Sequence, residues 1–547
     1  MNAVTLRNPL HRLNLQDAFA PQRRWHTLWL LCSWAYFLFA AIRLWQMLDG
    51  RMYYLLDSDM CSEMVLAYQL RQEHALLSPN WFYSTELRVF NLNWFFTPFF
   101  FFTDNWHTVR LAGTALTLLC MVAACAYCCV QAGIGHLFAA IAGLLLTPFS
   151  EVYFRILLLT ISYPPYIILS FLSLGLVFQY QRAASRRTRG ILLAILAAVS
   201  LLAGLNGLRQ VLIYYIPLFL GVATLCYTHV SAQRDRFWPA LDGSCRRLLL
   251  AGGLSCVAAL AGWQINTRVL RYHYHYTSQE GVQFRPFTLE RVEQLMVGWL
   301  ESFGYQSGDY ITGFQLVNNA LCFLALAVFF CALYSGFRHP ERYTLPERLL
   351  HLMSFYGFAV YHGLYLFTDM VYYTRYNIPI VILAMPVVVV FLYRLPVCRL
   401  YRAMAFAVLT GLMAICLQDY YKTLWPKNMT GEHEKAVHEL RVAGYTEGYA
   451  SFWNGNLMVE MSNGAFDIRV WEPGDVTDLD NLYEWLQPTR HFETRPEGPV
   501  FVFLDKLDAE YQTPSLRLQE GDVLYESDHY IARGYPSYEA LRADFEN

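Results

Sequence analysis

Three stretches of this chain place titratable side chains where apolar runs end. The first, Leu55 to Asn91, opens on Asp57-Ser58-Asp59, almost directly after a membrane-length apolar segment. The second, 268–312, holds Glu280, Glu290, Glu293, Glu301 and Asp309 together with the run Tyr272-His273-Tyr274-His275-Tyr276. The third, Thr368 to Tyr376, carries Asp369 and Arg375 and leads into Asn377 and Pro379. A carboxylate can orient or deprotonate an attacking hydroxyl when its pKa suits the task. An arginine can hold a phosphate through its two-pronged guanidinium while negative charge builds there. Gathered into one site, the three stretches contain the groups that glycosyl transfer from a phosphate-linked carrier needs.

Each stretch also has a plainer reading. Asp59 is well placed to cap the helix that follows, which would explain a pair of acids at the end of a span. Asp57 has no such duty and is the preferred base of the two. Glu301 and Asp309 read equally as loop acids, and Arg375 as a helix anchor at the headgroups. The two histidines of the 272–276 run share one side of an extended strand, but no carboxylate stands at ligand spacing to them.

The elements that must position these residues are apolar. Of the 547 residues, 56% are hydrophobic and 15% charged, against about 25% charged in an average soluble domain. The deficit is confined to the first 420 or so residues, so the chain divides into a polytopic membrane unit and a globular tail. A span needs about 20 mostly apolar residues. Eleven candidates follow: 27–48, 108–130, 136–149, 163–181, 190–205, 210–228, 248–267, 313–336, 348–367, 376–393 and 402–418. Segment 92–103, interrupted by Pro98, is too short to span and reads as interfacial or re-entrant. The first span lacks a small-residue cleavage site and reads as a signal anchor.

Arginines fix the expected orientation, because short cytoplasmic loops collect them. Arg7, Arg12, Arg23 and Arg24, then Arg182, Arg186, Arg187 and Arg189, then Arg234, Arg236, Arg246 and Arg247 fall on one side of an eleven-span layout. Arg338, Arg342 and Arg348, then Arg394, Arg399 and Arg402 fall there too. The opposite short loops carry single arginines, Arg155, Arg209 and Arg375. The expected layout is a cytoplasmic arm over 1–25 and a membrane domain over 26–420. Its outer loops are 49–107 and 268–312. An extracytoplasmic soluble domain of α/β or α+β type follows over 421–547.

That last region mixes a helical stretch at 432–443 with strand-like runs at 449–462, 466–472 and 499–505, separated by turns such as Asn463-Gly464 and Pro473-Gly474. Nearly all of the 13 cysteines lie in apolar segments and none follows residue 420, so neither a disulfide framework nor a CxxC metal pattern is present. Cys125 and Cys128 read as packing residues. The segment after Asp59, with apolar residues at 60, 64 and 68, reads as a helix with one apolar stripe lying in the interface. A net charge of −2 without a basic run gives no sign of a nucleic-acid partner.

In this order, spacing and sidedness the chain resembles the GT-C superfamily of integral-membrane glycosyltransferases. It is similar to polyprenyl-phosphate-sugar-dependent transferases such as the protein O-mannosyltransferases and the lipid A aminoarabinose transferases. The layout covers about 26–418. At residue level the resemblance rests on Leu56-Asp57-Ser58-Asp59, Glu86-Leu87-Arg88 and Thr374-Arg375-Tyr376-Asn377-Ile378-Pro379. It implies a sugar moved from a polyprenyl-phosphate donor to a cell-envelope acceptor on the outer face of a cell membrane. Asp57 or Asp59 would be the base, and Arg375 with Tyr376 would hold the donor phosphate. Glu86, Glu301 and Asp309 would meet the acceptor or a divalent cation, Mg or Mn. The tryptophan motif of the oligosaccharyltransferases and the adjacent Asp-Glu pair of the mannosyltransferases are both missing, which leaves branch and acceptor open. Two other readings stand beside it. A flippase or transporter of lipid-linked sugars would show internal repeats, which are not evident. A non-catalytic anchor for the tail would make the outer acids dispensable.

Overall fold

A chain that leaves water must satisfy its backbone internally, and these apolar runs do so as helices. In the computed structural model, residues 21–233, 243–277, 282–307, 313–474, 478–507 and 518–546 are described. The membrane unit begins with α1 (Pro21–Arg51) and α2 (Ser58–Glu73), followed by a short strand β1 (Trp81–Phe82). Next come α3 (Trp106–Ala132), α4 (Phe138–Leu145), α5 (Pro164–Arg182), α6 (Arg186–Gly204), α7 (Ile216–Gln233) and α8 (Gly243–Arg268). Then follow α9 (Leu289–Ser302), α10 (Phe314–Arg338), α11 (Leu345–Phe367), α12 (Ile378–Arg394) and α13 (Arg399–Leu424).

All eleven expected spans are helical. Among the described residues eight helices are long and apolar enough to cross a membrane, and the chain is a multi-pass membrane protein. The segments α4, α5 and α11 fall below that length or apolarity. Caps set several boundaries. Asn105 accepts the amide of Thr108 at the start of α3, and Thr344 with Glu347 closes a capping box on α11. Helices α6 and α8 cross at glycines. A Cβ on Gly204 would stand 1.9 Å from the Ala259 carbonyl oxygen, and one on Gly262 would stand 2.2 Å from that of Leu201. Such close approach is how membrane helices gain packing contact without a hydrophobic drive between them.

The C-terminal region continues with α14 (Gly431–Val442), β2 (Glu447–Ala450), α15 (Phe452–Met461), β3 (Asp467–Val470) and β4 (Gln487–Pro488). It ends with β5 (Val500–Asp505), β6 (Asp522–Glu526), β7 (Tyr530–Tyr535) and α16 (Tyr538–Glu546). A five-stranded sheet runs β3-β2-β5-β7-β6. Its first three strands are parallel and the last two antiparallel. The stretch 449–462 is therefore not one strand. It turns helical at Phe452, because α15 is buried between the sheet and α2 and shows no single polar face.

Helix α2 also departs from expectation. Its apolar stripe is buried, but so are Ser58, Ser62, Glu63 and Gln69. It is packed beneath α15 and the turns at 93–101 instead of lying as a one-sided surface helix. The C-terminal region is sewn to the first loop: β1 pairs with β4, the Thr489 amide donates to the Asn80 carbonyl at 3.0 Å, and the Met429 amide to that of Tyr54 at 2.9 Å.

Candidate functional site

The end of α1 unwinds through a 3-10 turn over Met52–Leu55, and Leu56 and Asp57 are extended before α2 begins. That geometry makes Asp57, not Asp59, the helix cap: its Oδ1 accepts the Met60 amide at 2.9 Å. Its Oδ2 is ion-paired with Arg155. The expectation that Asp57 is the unoccupied acid is thus reversed. The extended backbone at Asp57 aims its side chain back over the first helical turn, which one residue of sequence spacing cannot reveal. Ser58 turns the other way and donates to the Phe452 carbonyl of α15.

Asp59 stands in the first turn of α2, partly buried, and among the described residues its carboxylate has no hydrogen bond or ion pair. Burial pushes its pKa up, the Asp57 charge adds to that, and the nearby Arg375, Arg88 and Arg155 pull it back, leaving it at about 6. A carboxylate with that value is ionised at neutral pH and still basic enough to take a proton.

Arg375, Arg88 and Arg155, from three separate segments, act on this acid, and Arg209 adjoins Arg88 and Tyr376. Arg88 pairs with Glu63 at 3.7 Å, and Glu63 also accepts from Asn91 at 2.7 Å. Arg155 lies in a wide π turn, Phe154–Leu158. Arg209 precedes a second such turn, Val211–Tyr215, two residues after Gly207 at φ 98°. Such turns displace side chains from helical register and recur at functional sites. Gly207 is required for space as well, since a Cβ there would lie 2.9 Å from the Glu86 carboxyl carbon. The Arg209 guanidinium lies 5.5 Å from the Tyr163 ring centre and 5.3 Å from that of Tyr376, and 3.9 Å from Glu86 Oε2.

Arg375 shares the Tyr376 ring at 5.7 Å and rests 4.7 Å from that of Tyr373. It has no ion-pair partner among the described residues. Its loop is anchored on both sides. Thr374 donates to Glu301 Oε2 at 2.9 Å, and the buried Asn377 donates to Tyr372 Oη at 2.7 Å and Ser302 Oγ at 3.0 Å.

Two cavities lie beside residues that neighbour or hold these groups. One, of about 610 Å³, runs between α1, α4, α10, α12 and α13 with a lining that includes Leu144, Phe329, Ala384 and Leu409. Its polar end carries Glu151, Glu301 and Lys427. Glu151 is four residues from Arg155, and Glu301 holds the residue before Arg375, so the apolar space leads toward the arginines. The other cavity, of about 1060 Å³, is polar and lies between α9 and the 369–374 loop. Glu290, Arg291, Glu293 and Tyr372 line it, and Glu301 borders both spaces.

The structure therefore brings Asp57, Asp59, Arg375 and Tyr376 together. Glu86 lies on the Arg209 side, and Glu301 supports the Arg375 loop. Asp309 and Glu280 lie outside the described residues. Arg155, Arg209 and Arg88 were not singled out as site residues, yet they had a signal. Arg155, Arg209 and Arg375 are the single arginines of the arginine-poor loops, and all three converge here. For a divalent cation the fit is poor. Among the described residues no three His, Cys, Asp or Glu converge. Asp57 is committed to Arg155 and the Met60 amide, and Glu301 to Thr374. His275 instead joins strand β1, its carbonyl accepting the Tyr83 amide at 2.8 Å.

No family model matches the sequence, and no curated protein matches it. Solved structures do. The apo structure of ArnT from Cupriavidus metallidurans is 13% identical over 91% of this chain and 97% of that one, with a TM-score of 0.52. The same protein bound to undecaprenyl phosphate is 12% identical over the same shares, with a TM-score of 0.52. An oligosaccharyltransferase from Archaeoglobus fulgidus, 14% identical over 88% of this chain and 70% of that one, scores 0.45, too low to argue from. At these identities the likeness concerns the fold alone, which this chain shares with ArnT.

Proposed function

We propose that this chain is a membrane glycosyltransferase that moves a sugar from a polyprenyl-phosphate-linked donor to an acceptor of the cell envelope. The carrying observation is the unpaired, basic Asp59 with Arg375, Arg88 and Arg155 acting on it, beside a lipid-sized apolar cavity whose lining includes Glu301, the residue that holds the Arg375 loop. The fold shared with ArnT and the undecaprenyl phosphate bound to that protein support the same reading.

In this reading the polyprenyl chain occupies the 610 Å³ cavity and its phosphate meets Arg375, with Arg209 and Tyr376 behind it. The acceptor enters through the polar cavity past Glu301. Asp59 takes the proton from the attacking group as a bond forms at the anomeric carbon. The bond from that carbon to the phosphate oxygen breaks, and the arginines stabilise the charge left on the phosphate. Asp57 positions Arg155 and the start of α2. No step passes through a metal. The loops bearing the site face the cell exterior, following the distribution of arginines.

The test is sugar transfer from a panel of labelled undecaprenyl-phosphate sugars to envelope fractions by the full chain in vesicles. Asp59→Asn should lose roughly a hundredfold or more, the scale of a positioned base. Arg375→Gln should lose both rate and affinity for undecaprenyl phosphate. Undiminished transfer by Asp59→Asn would remove the base from the mechanism.

A further inference from the structure

At the end of the bundle opposite the aspartates, a cavity of about 690 Å³ opens between the start of α1, the Pro340–Arg342 turn, the end of α12 and the start of α13. Arg342, Arg394, Arg399 and Arg402 line it, with Trp25, Trp29 and Tyr393 beside them. Among the described residues one carboxylate forms an ion pair with these four cations: Arg394 Nη2 lies 2.7 Å from Glu347 Oε1. Arg402 is held by the carbonyls of Tyr393 and Leu395. Among the described residues Arg342 and Arg399 have no ion pair, and Glu341, next to Arg342, pairs instead with His339 at 3.3 Å. Like charges held around one concavity repel, and an anion placed between them relieves that cost.

Arg342, Arg394 and Arg399 keep contact with water, yet with Arg402 they line one concave space from three elements. Its walls turn apolar toward the bundle, where Trp29 stacks on Phe406 at 3.5 Å and Ala403 is buried. The aromatic rings are of the kind that settles at headgroup depth. Basic pockets between membrane helices recognise phosphate-bearing headgroups, and the guanidinium fork fits a phosphodiester. We propose that this cavity binds the phosphodiester headgroup of an anionic phospholipid, in the leaflet opposite the one that the aspartates face. This site does not depend on the glycosyltransferase reading.

Native mass spectrometry of the full chain, released from micelles containing equal phosphatidylglycerol and phosphatidylcholine, tests it. Wild type should retain phosphatidylglycerol roughly tenfold over phosphatidylcholine, and Arg342→Gln with Arg399→Gln should erase that preference. Arg375→Gln should keep it, which separates this cavity from the donor site. Inorganic phosphate that failed to displace the lipid would support a headgroup site. Full displacement would overturn it in favour of a free-phosphate site. Equal retention of the two lipids by wild type, or an unchanged preference in the double variant, would also overturn it. Melting in phosphatidylcholine alone identifies a misfolded double variant, and the single Arg399→Gln protein then carries the test, with a reduced preference expected and an unchanged one fatal.

Discussion

At the residue scale the centre of the site is a division of labour between two acids two positions apart. Asp57 spends both oxygens on structure, and Asp59 spends neither. In a transfer assay the acid limb of kcat/KM should therefore fall near pH 6, where Asp59 protonates. Asp57→Asn removes a like charge that raises Asp59, so the limb should move to lower pH. Arg375→Gln removes a charge that lowers it, so the limb should move up. The same raised value bears on stability. A carboxyl whose folded pKa exceeds its usual 3.8 contributes stability that is complete below that value and lost as pH rises through about 6. At neutral pH the charged Asp59 is then a net cost to the fold. Asp59→Asn should melt higher than wild type at neutral pH while losing transfer, and thermal melts across pH read this directly. The sequence displayed both acids and the three loop arginines. It could not display which acid is taken up by a cap and an arginine and which stays unpaired, because that depends on one extended residue before α2.

At the element scale the helix carrying both acids is held from outside the membrane unit. Arg110 of α3 and Glu460 of α15 form an ion pair whose side chains are 1% and 3% exposed, and Arg110 also donates to the Met60 carbonyl at 2.8 Å. Glu460→Gln strips the buried guanidinium of its counter-charge and should cost on the order of 3–5 kcal/mol. Arg110→Met combined with Glu460→Leu should recover most of it, as judged by melting of the single and paired variants. This clamp was illegible beforehand. Glu460 lies in the run 449–462, which reads as strand-like in sequence, and its partner lies 350 positions earlier. The spans were legible because lipid imposes one backbone solution on any long apolar run. Helix α2 was half legible: its period was visible, but its burial on several sides is a property of its neighbours.

At the scale of the whole molecule the apolar cavity runs from the bundle interior to Glu151 and Glu301, the residues nearest Arg155 and the Arg375 loop along the chain and by hydrogen bond. Ala384 of α12 lines it. Ala384→Trp should displace part of a bound chain and weaken undecaprenyl phosphate binding roughly tenfold, the effect of excluding about two methylene groups. A water-soluble phosphate with a short tail should be unaffected, and titration of both ligands tells the two apart. The pairing of β1 with β4 and the docking of α15 on α2 have a consequence for how the protein is made. Ser58 and its neighbours wait for Phe452, 394 positions later, before their helix is covered. A chain halted after its last span would present Asp59 on an unsupported helix. The two acids are thus made long before the helix and strand that complete their surroundings.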